Sequence, residues 1–316
     1  MARGFLTSLT DLAWFSVRTR ILGHKIPLIA SFKLTYRCNL SCRACPFHTR
    51  SSEIHSHIDW ETAMRSLREL KKRGCLIVIF EGGEPFLWSD GDHTFRDLVT
   101  SARELFPCVG ATTNGTLGFD VPADILWVSV DGLEDTHNFL RSNSYQRVLH
   151  EISSCRHPNL LVHYTLNRLN WREFGECATT MLSLTAVKGI TVQIFYPYGQ
   201  GEDDLTLSTD DRRQALMSVM NLKRSGYPIM NSAWSLNAMM TGHWTCHDWL
   251  LANVNPDGSI DQGCYVRGRG NMDCSLCGFT PVAEASGAFS LVPGSLKTGW
   301  SLFFSRSRSR IKYKTL

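Results

Sequence analysis

The sequence predicts a parallel α/β fold with a small cysteine-rich C-terminal extension. Three observations lead there. Six short β-branched or apolar runs alternate with helical patterns, which is the order of a parallel sheet with crossover helices. Seven of the 11 cysteines fall in two tight groups, one directly after the first strand and one beyond the last helix. The 316 residues, 43% of them hydrophobic, are enough for one large domain and a smaller one.

The expected strands are Ser31–Tyr36, Leu76–Phe80, Val109–Thr113, Ile125–Val130, Leu161–Leu166 and Ile190–Phe195. Between the first two, a helix over Trp60–Arg73 sets Met64, Leu67 and Leu70 at helical spacing. A second helix covers His93–Leu105. Ser208, Thr209 and Asp210 are capping candidates for a helix over Thr206–Arg224. Beyond it the chain becomes turn-rich, with Asn255-Pro256-Asp257-Gly258 as a strong turn signal. The chain therefore divides into an N-terminal amphipathic helix (1–27), a barrel-like domain (28–230), a cysteine-rich domain (231–284) and a basic tail (285–316).

Formal charge is +4 from 33 basic and 29 acidic residues. Its distribution says more than its sum. The last 32 residues hold six basic and no acidic side chains, so the tail is +6 and the preceding 284 residues are −2. A slightly acidic body with no RNA-binding module disfavours nucleic acid as a partner. No apolar run approaches the roughly 18 residues of a spanning helix. The N-terminus interrupts its apolar residues with Thr7, Ser8, Thr10 and Asp11, which argues against an export signal. An odd number of cysteines at clustered spacing points to thiolates in a reducing compartment, and hence to the cytoplasm.

Cys38, Cys42 and Cys45 form a C-x3-C-x2-C group immediately after the first strand. Three thiolates within eight residues can wrap one face of a [4Fe-4S] cluster and leave one iron open. A zinc site completed by His48 satisfies the same spacing. Further motifs end the later strands. They are Glu81-Gly82-Gly83-Glu84-Pro85, Thr112-Thr113-Asn114-Gly115, Ser129-Val130-Asp131-Gly132 and Tyr164-Thr165-Leu166-Asn167.

Taken in that order behind the cysteines, these motifs resemble the radical SAM superfamily. The resemblance implies a partial (β/α)6 barrel whose [4Fe-4S] cluster, held by Cys38, Cys42 and Cys45, is chelated at its open iron by S-adenosylmethionine. It implies that Gly82, Gly83 and Glu84 hold the methionine amino group, and that Asn114, Ser129, Asp131 and Asn167 position the rest of the cofactor. Family members usually carry an aromatic residue before the third cysteine. Ala44 stands there, so Phe47 takes over part of the adenine contact. A strongly reducing donor such as ferredoxin or flavodoxin is implied as partner.

Cys246, Cys264, Cys274 and Cys277 form the second group. Their arrangement resembles the twitch half of extensions that carry an auxiliary [4Fe-4S] cluster in this superfamily. Four cysteines also suit a zinc ribbon. Cys75, Cys108, Cys155 and Cys177 are isolated and read as small buried hydrophobes.

The two ends bear on the substrate. Phe5, Leu6, Leu9, Leu12, Ala13 and Val17 lie largely on one helical face, and Trp300, Leu302, Phe303 and Phe304 precede the basic run. Aromatic and basic termini fit a peripheral contact with anionic lipid on the inner face of the membrane, although an amphipathic helix can equally pack on its own barrel. The sequence thus points to a radical SAM enzyme acting on a membrane lipid or isoprenoid. A peptide- or protein-modifying maturase is the alternative within the family, and a non-catalytic zinc-binding module the alternative outside it.

Overall fold

The computed structural model describes residues 5–199, 201–268 and 273–305. All six expected strands form: β1 (Ile29–Thr35), β2 (Ile77–Gly82), β3 (Cys108–Thr113), β4 (Ile125–Ser129), β5 (Leu160–Leu166) and β6 (Val187–Ile194). Two more, β7 (Leu251–Val254) and β8 (Ile260–Gln262), come from the cysteine-rich extension. The sheet runs β8-β7-β1-β2-β3-β4-β5-β6 and is open, with β8 and β6 at its edges. Every pairing is parallel except that of β8 with β7.

Local chemistry sets the helix limits. In α2 (Trp60–Arg73) the Asp59 carboxylate accepts from Thr62 N at 2.7 Å, and Gly74 at φ +97° ends the helix in the left-handed region. A capping box between Thr94 and Asp97 starts α3 (Phe95–Leu105). The helix expected from Thr206 begins at Thr209 because Ser208 takes the capping position, accepting from Asp211 N at 3.1 Å.

Side chains alternate across a strand, and that alternation divides the core in two. Ala30, Phe32 and Leu34 of β1 and Val78 and Phe80 of β2 point outward and pack with Leu67 and Leu70 of α2. Ile77, Cys108, Ile125, Trp127 and Leu161 point inward and form a second cluster with Phe15 from α1 (Phe5–Ser16). Each fully buried side chain of this size contributes about 1.5–3 kcal/mol. Cys75, Cys108 and Cys177 are buried among these apolar residues, whereas Cys155 is half-buried.

Two expectations change. The division at residue 231 does not separate two sheets, because Ile29–Phe32 of β1 pair in register with Leu251–Val254 of β7. The extension completes the barrel wall. Nor do Leu302, Phe303 and Phe304 project outward as an anchor. They pack against the inner cluster, with the Phe303 ring 6.3 Å from that of Trp127. Apolar surface at the N-terminal ends of the strands has to be covered, and α1 and the final turn cover it. Arg306, Arg308, Arg310, Lys312 and Lys314 lie outside the described residues. Among the described residues no helix is long and apolar enough to cross a membrane.

Gly110 on β3 shows how tightly the interior is filled. A Cβ there would stand 2.8 Å from Ile125 Cγ2, 2.8 Å from Trp127 Cζ3 and 2.9 Å from Ile79 Cδ1. Gly110→Ala is therefore expected to destabilise the fold by about 1–3 kcal/mol through overpacking, read as a lowered midpoint in thermal or urea unfolding. An unchanged midpoint would show that Trp127 can move aside freely.

Candidate active site

A cavity of about 500 Å³ runs through the interior of the sheet, from the loop after β1 down to α1 and the final turn. Cys38, Cys42 and Cys45 all line it. Their loop is fixed at several points: Asn39 Nδ2 donates to Thr116 Oγ1 at 2.8 Å, Arg43 N to Leu140 O at 2.9 Å, and the Arg43 guanidinium to Asp204 at 2.8 Å. Ala44, where the family favours an aromatic residue, takes φ +62°. Phe47 lines the cavity and stacks on Tyr36 with ring centroids 5.9 Å apart.

The three thiols sense one another. Burial pushes Cys42 up to about 11; Arg141 opposes this, and Cys45 and Cys38 add to it. Burial also raises Cys38, against N–H donors from Leu40 N at 3.5 Å and Asn114 Nδ2 at 3.7 Å. Among the described residues no three His, Cys, Asp or Glu side chains are placed to hold a single metal ion. A cluster of four irons takes one thiolate per iron and needs no common point. Three half-buried thiols at the mouth of a cavity, with N–H donors on one sulfur, fit such a cluster.

The residues at the other strand ends hold the frame as much as they face the cavity. At Gly82 (φ +132°) a Cβ would lie 2.4 Å from Thr35 O, and at Gly83 2.1 Å from Arg37 O. Only glycine lets the end of β2 press onto the start of the cysteine loop, where Gly83 N donates to Thr35 O at 2.6 Å. Glu84 is fully buried and is not among the cavity-lining residues. It accepts from Phe86 N at 3.1 Å, Thr113 Oγ1 at 2.9 Å and Asn114 N at 2.7 Å, tying β2 to the end of β3. Asp131 lines the cavity, accepting from Arg141 Nε at 2.5 Å and from Thr165 N at 2.8 Å. Asn114, Ser129 and Asn167 line it too, with Asn114 Nδ2 also donating to Asn39 Oδ1 at 2.8 Å.

Several lining residues carry no assigned role from the sequence: Glu81 and Thr165, which fall inside the strand-end motifs, and Arg141, His163 and Gln193. Four of them share a signal that parity could have revealed, since they occupy inward, odd-numbered positions near the C-terminal ends of strands. Arg141 has no such signature. It lies after α4 (Glu134–Leu140), and only the folded chain sets it beside Asp131 and within electrostatic reach of Cys42.

The second cysteine group also converges. Burial pushes Cys246 up to about 12, and Cys277, Cys264 and Cys274 all contribute. Arg212 of α7 (Thr209–Arg224), itself buried, donates to Leu276 O at 2.8 Å, Cys277 O at 2.7 Å and Met239 O at 2.6 Å. One guanidinium therefore pins the C-x2-C segment to the helical layer.

Residues 32–177 match the family model described as the radical SAM superfamily. Among curated proteins the chain is 25% identical over 225 residues to the Fe-coproporphyrin III synthase of Methanosarcina barkeri, covering 65% of this chain and 54% of that protein. It is also 25% identical over 167 residues to the sporulation killing factor maturation protein SkfB of Bacillus subtilis, covering 49% and 40%. The chain thus spans about half or less of these relatives' lengths. Among solved structures, Streptococcus suis SuiB bound to precursor peptide SuiA aligns with a TM-score of 0.63 at 14% identity, over 89% of this chain and 70% of that one. Residues 32–177 thus match the radical SAM superfamily, whose members use a [4Fe-4S] cluster and S-adenosylmethionine.

Burial pushes the Glu84 carboxyl up to about 7, above its ordinary 4.5. An acid held protonated to higher pH in the folded state than in the unfolded chain loses stability as pH rises between those values, here by about 3 kcal/mol in all. Glu84→Gln should flatten that part of the stability profile, measured by urea unfolding from pH 4.5 to 7. A slope equal to wild type would mean that Glu84 is ionised throughout. For Arg212→Leu, which strands three carbonyls, two of them in buried hydrogen bonds, a loss of about 3 kcal/mol is expected. Bound metal should fall at the second cysteine group and persist at the first. Unchanged metal content would remove Arg212 as the anchor of that group.

Proposed function

We propose that this chain is an enzyme that activates a C–H bond of a membrane lipid or isoprenoid chain. The carrying observation is the cavity, which passes without interruption from the three cysteines to an aliphatic and aromatic floor. When bound, the cluster and S-adenosylmethionine supply a 5′-deoxyadenosyl radical by reductive cleavage of the sulfonium. Cys38, Cys42 and Cys45 hold the cluster. Gly82 and Gly83 let backbone approach the methionine end, and Glu84 fixes that segment. Phe47, Asn114, Ser129, Asp131 and Asn167 orient the nucleoside part, and Arg141 is ion-paired with Asp131 beside it.

Cys246, Cys264, Cys274 and Cys277 are proposed to hold an auxiliary [4Fe-4S] cluster in a twitch-like extension, with ferredoxin or flavodoxin as the electron donor. A peripheral position on the inner membrane face is supported by Trp14, Ile21 and Leu22, which stand exposed near the floor, together with the basic residues from Arg306 to Lys314. Peptide modification is the second reading. It is favoured by the fold shared with SuiB, solved with its precursor peptide, over 89% of this chain.

The test is anaerobic reconstitution followed by incubation with S-adenosylmethionine, a strong reductant and membrane extract. We expect 5′-deoxyadenosine to form, a lipid of altered mass to appear, and both to vanish in Cys42→Ala. Zinc in place of iron with no 5′-deoxyadenosine would sink the enzyme reading. Turnover on peptide with lipids unchanged would sink the substrate reading.

A further inference from the structure

We infer that the barrel interior takes an uncharged, hydroxyl-bearing amphiphile with its polar end toward the cysteine loop, and that Trp127 and Phe303 limit the length of its chain. The inference deepens the lipid reading above and rests on it for the place of the cofactor.

Register sorts the inward side chains by polarity along the barrel axis. At the lower level Ile29 stands beside Ile77 and Leu251, and Trp127 beside Leu161. Two or four residues further along the same strands polar pairs take over, with Ile79 beside Ser31 as an apolar neighbour at the middle level. Ser31 meets Asn253, Lys33 meets Glu81, Ser129 meets His163, and Thr165 meets Gln193. At about 3.3 Å per residue, the step from Ile77 to Glu81 spans about 13 Å. A ligand that matches this gradient is polar at one end and hydrocarbon at the other.

The charges at the polar end select against an ionised head. Arg43 and Arg141, the guanidinium groups among the described lining residues, are each paired with a carboxylate, Asp204 and Asp131. Lys33 is fully buried in the wall, 3.3 Å from Ser31 Oγ and 3.4 Å from Asn253 Oδ1, and is not among the lining residues. Its ammonium lies 3.9 Å from Glu81, which also accepts from the Ser31 hydroxyl. An anionic head would meet the Glu81 carboxylate with no unpaired Lys or Arg among the described lining residues. An ammonium head would meet a carboxylate already balanced by Lys33. A hydroxyl meets Glu81, Gln193 and His163, which can accept or donate without a charge penalty.

Bulky side chains narrow the lower end. The indole of Trp127 lies between Gly110, where a Cβ would come within 2.8 Å of it, and the ring of Phe303 at 6.3 Å. Leu12 of α1 and Leu302 also line this floor.

The experiment is anaerobic calorimetric titration of the full, cluster-loaded chain with S-adenosylmethionine present, using octanol, decanol, dodecanol, geraniol and farnesol, with decanoate and decylamine as charged controls. Decanol is expected to bind about tenfold more tightly than either charged control. Affinity should rise with alcohol length and then fall beyond a limit. Phe303→Ala, and more mildly Phe303→Leu, should move that limit to a longer alcohol, whereas Glu81→Gln should weaken all alcohols alike by about tenfold without moving it. Equal binding of the three head groups, or a limit unmoved in both Phe303 variants, would overturn the inference. Alcohol binding without 5′-deoxyadenosine formation supports the pocket and refutes the enzymatic reading. Lipid-dependent 5′-deoxyadenosine without alcohol binding does the reverse.

Discussion

Parallel pairing in a fixed register across seven neighbouring strands governs everything else in this molecule. Side chains alternate with a period of two, so a slip of one residue in any strand would exchange its outer and inner sets. The consequence would be severe, because the two sets differ in kind. Phe32, Val78 and Val109 face helices and are wholly apolar, whereas Ser31, Glu81 and Thr112 face the cavity. Gly110 makes the register stricter still, since only the position facing Trp127, Ile79 and Ile125 can lack a side chain without leaving a void.

Most of the polar groups at the strand ends fasten one strand to the next before they meet any ligand. Glu84 joins β2 to β3, Asp131 joins β4 to β5 and to Arg141, and Asn114 joins β3 to the cysteine loop. A cofactor bound there meets a rim that is already cross-braced, and little conformational freedom remains to be lost on binding. The same bracing explains how Glu84 can shape the site without lining the cavity.

What the sequence reveals follows from the range of the interactions involved. Helix α2 is legible to the residue because its cap, apolar stripe and terminal glycine lie within sixteen consecutive positions, and the C-x3-C-x2-C loop is legible for the same reason. The partnership of β7 with β1 joins residues more than 200 apart and leaves no local trace, so the extension reads as a separate domain. Arg141 escapes notice because nothing near it in the chain announces Asp131. The aromatic run at 300–304 is read correctly as apolar and assigned the wrong neighbour. Composition fixes that such residues must be covered, not whether lipid or protein covers them.

That last point bears on how a chain-like substrate reaches the interior. The floor is built in part from irregular turns. Both Val17–Ile21 and Trp300–Phe304 are wide turns closed by bonds spanning five residues, Leu22 N to Val17 O at 3.1 Å and Ser305 N to Trp300 O at 2.9 Å. Leu302, Phe303 and Phe304 are only half-buried, while the strands above them are almost wholly so. Segments with few buried contacts open at a lower free energy than the sheet they cover. Exposed Trp14, Ile21 and Leu22 sit in or beside these same elements. A hydrocarbon chain approaching from an apolar surface on that side would displace the floor alone, and the braced rim that carries the cysteines would stay in place.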